Sequence, residues 1–239
     1  MPHIASRRAA LQRLGALSVG TLGTAWTLAG CSAEPRERKA FIEFLQTRVL
    51  NRQRASIPKL NEEQRKAVGR YAAHYDIITG FNKEMSDAPF TAMMARLEHT
   101  RSLSQLMAKR KEAGELRDHL PQAAQDVKAA LDRATAAKTA LSQPDDLRAV
   151  YDAAFDKLVA QPAGLMLQLL PATRGMLGAF LELLTYVETH PNEVTIAGST
   201  VEARSQASLN KVNALLKKVE TESAAVGQLE SAIRKLTGR

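Results

Sequence analysis

The chain has 239 residues, a formal net charge of +8, one cysteine and one tryptophan. That length suits one substantial core or two small ones, and a lone cysteine excludes an internal disulfide. Basic clusters interleaved with aromatics are missing, which argues against a nucleic-acid binder.

Arg7, Arg8 and Arg13 form a charged start, and residues 14–29 carry no charge. Small residues then precede the cysteine in Leu28-Ala29-Gly30-Cys31. This order predicts a bacterial lipoprotein signal peptide over 1–30. Cys31 would receive a diacylglyceryl group on sulfur, with palmitate-type acyl chains, and become the mature N-terminus. The other reading is an ordinary cysteine beyond a non-cleaved leader or a membrane anchor. An uncharged run of about 16 residues is short for a span of roughly 20. The leader holds three of the 33 Lys+Arg and none of the 25 Asp+Glu, so cleavage leaves 30 against 25, a net +5. It also removes Trp26. Ser6-Arg7-Arg8-Ala9-Ala10-Leu11 resembles a twin-arginine signal, but Ala10 stands where Phe is favoured. General secretion and twin-arginine export both stay open. Ser32, rather than an Asp, follows the cysteine, which favours the periplasmic leaflet of the outer membrane over the cytoplasmic membrane.

Residues 31–38, with Pro35, read as a lipid-anchored tether too polar to pack. Residues 39–239 read as one helical, periplasm-facing domain with helical periodicity nearly throughout. Phe41, Ile42, Leu45 and Val49 share the face of a first helix. Asn61 is placed as an N-cap, with Glu62 and Glu63 in the first turn. Val68, Tyr71, Tyr75, Ile78 and Met85 continue an apolar stripe. Pro89 opens a further helix with Phe90, Met93, Met94, Leu97, Leu103, Leu106 and Met107 inward. Lys109-Arg110-Lys111, followed by Glu112 and Glu115, reads as a solvated helix face.

Leu120, Ala124, Val127, Leu131, Ala134, Lys138 and Leu141 alternate steps of four and three, a heptad seam. Lys138 would lay its apolar stem over that seam while its ammonium reaches water. Pro144-Asp145-Asp146 stops one helix and starts the next, whose face carries Leu147, Val150, Tyr151, Ala154, Phe155 and Leu158. Residues 163–187 form the most apolar mature stretch. Arg174 and Glu182 would each cost about 2.5–3.5 kcal/mol near a membrane centre, so this is expected to be the central bundle helix rather than a span. Gly175 and Gly178 would let a neighbour approach. Val194-Thr195-Ile196 and Thr200-Val201-Glu202 flank Ala197-Gly198-Ser199 as a small β-hairpin that must lean on the bundle. A last helix carries Leu209, Val212, Leu216, Val219, Val226, Leu229, Ile233 and Leu236 inward. The fold class is therefore all-α, a multi-helix bundle with elongated helices and a β-hairpin before the C-terminal helix.

The stretch Arg38-Lys39-Ala40-Phe41-Ile42-Glu43-Phe44-Leu45-Gln46 resembles the opening of the YiaF-like envelope lipoproteins, a family catalogued as a domain of unknown function. Asp145-Asp146-Leu147 with Asp152 to Phe155, the hairpin leading into Gln206-Ala207-Ser208, and Tyr75 through Phe81 are similar as well. The resemblance spans most of the mature chain. It implies a lipid-anchored helical protein with no established activity and no catalytic residues to carry over.

His74, His99, His119 and His190 show no metal-ligand spacing and read as surface histidines. Glu62-Glu63 and Asp145-Asp146 fit helix starts better than acid–base chemistry. Gly198-Ser199 falls in a turn rather than a nucleophile elbow. No catalytic, cofactor or metal site is assigned, and Cys31 is the one site residue. The expected protein is non-enzymatic, held at a membrane by lipid and acting through an envelope protein partner. The alternative is an apolar-ligand or lipid carrier, because Met85, Met93, Met94, Met107, Met166 and Met176 could line an adaptable cleft.

Overall fold

The computed structural model describes residues 29–89, 92–93, 103–198 and 200–238. Residues 1–28, His99, Met94 and most of the helix expected to open at Pro89 lie outside the described residues. Helix α1 (Ala29–Phe44) runs directly into a π-helical turn, Leu45–Leu50. Asn61 caps α2 (Glu62–Val68) with a reciprocal capping box: its side chain accepts from the Gln64 amide, and the Gln64 side chain accepts from the Asn61 amide. A short 3-10 turn at Gly69–Tyr71 then leads into α3 (Ala72–Ser86). Gly69 has φ +52, and a Cβ there would collide with the Glu37 carboxylate, so glycine serves both the backbone and the close approach.

A short helix and a long one follow. Helix α4 (Leu103–Ala108) holds the hairpin, since the amide and hydroxyl of Ser104 both donate to the Gly198 carbonyl, at 3.2 and 3.0 Å. Helix α5 (Arg110–Thr139) instead passes straight through Pro121. Its buried residues are Ala113, Leu116, Leu120, Ala123, Val127, Ala130 and Ala134. The heptad expected from sequence shares Leu120, Val127 and Ala134 with this seam. Between them the core takes Ala123 and Ala130, leaving Ala124 and Leu131 as partly buried flanks.

Helix α6 (Asp145–Phe155), a π-turn (Asp156–Ala160) and α7 (Gln161–Thr189) form one uninterrupted helical path. The sequence pattern suggested two separate segments here. Their junction stays helical because every residue flanking the π-turn keeps right-handed helical angles. Helix α7 is the central helix, packed along both α5 and α8 (Gln206–Thr237) and continuous through Pro171. A Cβ on Gly175 would press on Glu222 of α8, as close approach requires, whereas Gly178 faces open space.

The hairpin pairs β1 (Val194–Ala197) antiparallel with β2 (Thr200–Ala203), with Ala197 opposite Thr200. Gly198 supplies the positive φ, +63, that a two-residue hairpin turn needs. Val194 anchors the hairpin in a small core with Leu183, Val187, Val212 and Leu215. Ser205 caps α8, accepting from the Ser208 amide at 3.1 Å. Along α8 the core takes Val212, Leu215, Val219 and Val226, while Leu209, expected inward, is 39% exposed. Among the described residues no helix is long and apolar enough to cross a membrane.

Candidate functional site

Cys31 falls within α1, and its side chain lies outside what the structure describes. The residues after it differ from expectation. Residues 34–38 are helical and dock on the body: Glu34 accepts a short hydrogen bond from the Tyr71 hydroxyl, Glu37 accepts from the Arg70 amide at 3.3 Å, and Arg38 lies 3.5 Å from Asp146. Polar residues pack here because each finds a charged or hydroxyl partner on a distant segment. Burial, then the bond to Glu34, pushes the Tyr71 hydroxyl pKa up to about 12.

Helix α1 is set against the body by an aromatic cluster. Phe41 stacks on Tyr71 at 5.9 Å and meets Tyr75 and His74 edge-on. The buried tyrosine hydroxyls all find acceptors. Tyr75 donates to the Pro58 carbonyl at 2.8 Å, and Tyr151 to the His74 carbonyl at 2.6 Å. His74 is not the surface histidine expected. It is half-buried, with Nδ1 2.8 Å from the amide nitrogen of buried Gln143, and desolvation lowers its pKa. His119 is exposed, with Nδ1 2.7 Å from the Glu115 carbonyl, and His190 is half-buried against Tyr186.

The paired carboxylates sit at helix starts, as their positions suggested. Glu62 and Glu63 occupy the first turn of α2. In α6 the N-cap position falls to Pro144, while the Asp146 carboxylate accepts from the Leu147 amide at 2.9 Å. Lys138 reaches Asp152 at 2.8 Å, with its ammonium over the Phe155 ring, so a carboxylate and an aromatic face receive the charge. Arg110 pairs with Glu188 and Lys111 with Glu115, which makes the densest basic run a salt-bridged face. The groove beside it, about 810 Å³, is bordered by charges already paired with one another, such as Arg117 with Asp118 and Glu182 with Lys218.

Two features carried no motif. Lys157, on the π-turn of α6–α7, donates to the carbonyls of Val49 at 3.1 Å, Leu50 at 3.3 Å and, more closely, Arg52. One π-turn thus supplies the cation that caps the other. The second feature is a cleft of about 410 Å³ lined by Ile57, Phe81, Met85, Leu158, Ala163 and Met166. It brings together Met85 and Met166 of the six methionines singled out from sequence. Met107 packs on the core elsewhere, against both hydrophobic clusters. No group of three or more His, Cys, Asp or Glu able to hold a metal ion occurs among the described residues.

A family model described as "Protein of unknown function (DUF3053)" matches residues 19–234. The chain is 27% identical over 206 residues to the "Uncharacterized protein YiaF" of Escherichia coli K12, covering 84% of this chain and 87% of that protein. The YiaF proteins of Escherichia coli O157:H7 and Shigella flexneri match with the same identity and coverage. No solved structure matches. With its family model running over residues 19–234, most of the chain, this helical bundle belongs to the DUF3053 family of proteins of unknown function.

Proposed function

We propose that the protein is a lipid-anchored bacterial envelope lipoprotein, attached through Cys31 and acting through protein contacts rather than catalysis. The carrying observation is the order of the leader: three arginines, an uncharged run, small residues and the lone cysteine. The placement of α1 supports it, because a helix already docked at Glu34 would hold the body close to an attachment point three residues earlier. The non-enzymatic part rests on what the polar side chains do. Glu62 and Glu63 sit at a helix start, the Tyr75 and Tyr151 hydroxyls bond to backbone carbonyls, the Tyr71 hydroxyl bonds to Glu34, and Lys157 caps a helix end. The methionine-lined cleft favours a second reading, carriage of an apolar ligand, in which lipidation supplies the location and the cleft the cargo.

Metabolic labelling with a palmitate analogue, followed by membrane fractionation of wild type and Cys31→Ala, tests the anchor. Wild type is expected to be labelled, shortened and membrane-bound. The variant is expected to be unlabelled, and either released or held as full-length precursor. Normal shortening and membrane retention of Cys31→Ala overturn the proposal. Crosslinking in intact cells, followed by copurification, tests the contact mode, which predicts a defined envelope partner.

A further inference from the structure

Residues 44–61, which contain no Asp or Glu, carry Arg48, Arg52, Arg54 and Lys59, all exposed. The fold adds the last turn of α8 to it. The Ala55 amide donates to the Leu236 carbonyl at 2.7 Å, which brings exposed Arg234 and Lys235 alongside. The Arg54 side chain lies against Gly238, where a Cβ would collide with it. None of these six cations makes an ion pair among the described residues, in a chain whose other basic side chains are often bridged. Glu84 is engaged with Arg133, Asp87 with Lys83 and Asp156 with the Gln161 amide, while Glu230, one turn before Arg234 on α8, forms no ion pair with it.

This unneutralised patch borders the apolar cleft. Ala55 and Ser56, next to Arg54, line the cleft, as do Ile57, two residues before Lys59, and Thr237, two residues after Lys235. Phe81, Leu158 and Ala163 form buried walls, with half-buried Met85 and Met166 as adaptable ones. Its volume falls within the roughly 300–1,000 Å³ typical of small-molecule sites. A flat anionic bilayer would need apolar side chains that protrude, whereas these line a concavity.

We infer that this cleft and its cationic rim form a binding site for a single anionic amphiphile, an acyl chain lying along Met85 and Met166 with its carboxylate or phosphate head among Arg54, Lys59 and Lys235. The inference deepens the carrier reading and does not depend on lipidation at Cys31. Opposite charge at the rim holds the head, and the apolar walls exclude water from the tail. Neither a free fatty acid nor a phospholipid-derived chain is preferred by this chemistry, and the two sources are separable by probe.

The test uses full-length protein held in a non-ionic amphipol, with palmitate, lysophosphatidylglycerol, uncharged hexadecanol and inorganic phosphate as probes. Palmitate or lysophosphatidylglycerol is expected to bind once per chain, at least tenfold more tightly than hexadecanol, with inorganic phosphate weaker still. Arg54→Glu with Lys59→Glu, both exposed positions, should weaken the anionic probe at least tenfold and leave hexadecanol unchanged. Met166→Trp should weaken every acyl probe. A diazirine palmitate should label peptides containing Met85 or Met166, which keeps the test decisive if the Trp variant does not fold. Equal binding of hexadecanol and palmitate overturns the anionic site while leaving the carrier reading standing. No acyl probe bound overturns both. Binding to phosphatidylglycerol vesicles that survives Met166→Trp, with diazirine labelling away from the cleft, identifies a membrane-surface patch and also overturns the inference.

Discussion

Replacing Lys157 by Met keeps the aliphatic stem and removes only the ammonium. Three carbonyls at the end of the first helical segment, those of Val49, Leu50 and Arg52, lose their shared donor. A hydrogen bond to a charged group contributes about 1.5–3 kcal/mol. Lys157 is only half-buried, so water can replace part of that set. The expected loss is about 2 kcal/mol, equivalent to about 4–8 °C in Tm for a chain of this size. Thermal and urea unfolding followed by circular dichroism measure the loss. Amide exchange should then locate it, with faster opening at residues 49–55 and little change in α8. Lys157→Arg, which keeps the charge, should recover part of the loss. A loss under about 0.5 kcal/mol, or equal losses in the Arg and Met variants, would refute the capping argument.

The position of the α5 seam is testable by size. Ala130→Leu adds bulk where the core is closed and should cost about 1–3 kcal/mol, while Ala124→Leu on the flank should be tolerated; the reverse order would restore the register expected from sequence. Burial holds the His74 pKa below its usual value, so the unfolded chain takes up its proton first as pH falls. Its stabilising contribution is complete above about pH 6.5 and is lost as pH falls through the lower folded value. Denaturation midpoints measured between pH 7.5 and 5 should therefore slope less in His74→Gln, and an unchanged slope would count against this account.

Where a structural signal is local, the residues announced it. Asn61 with Gln64 makes the capping box in both directions, and Gly198 sits where the hairpin must turn. Misreadings arose where the deciding partner is remote. Both heptad settings along α5 satisfy the spacing, and only the facing helices choose Ala123 and Ala130 over Ala124 and Leu131. The charged run Glu34 to Arg38 looks solvated until Tyr71, Arg70 and Asp146 arrive from elsewhere in the chain. Lys157 was invisible as a cap because its acceptors are backbone carbonyls, which no side-chain pattern encodes. The cationic rim was half legible: the acid-free stretch 44–61 is plain, but Arg234 and Lys235 join it only through the Ala55–Leu236 bond. Of the six methionines, periodicity could not indicate which two would share a cleft.

The unbroken path from Asp145 to Thr189 gives the molecule a fixed reach. At 1.5 Å per residue it extends about 65 Å. One end is tied by Asp146 to Arg38, seven residues beyond the cysteine; the other leads through His190 into the hairpin. A chain held by Cys31 would therefore present its hairpin at a stand-off distance set by a strut, and lengthening or shortening that helix by whole turns would move the presented end in steps of about 5.4 Å.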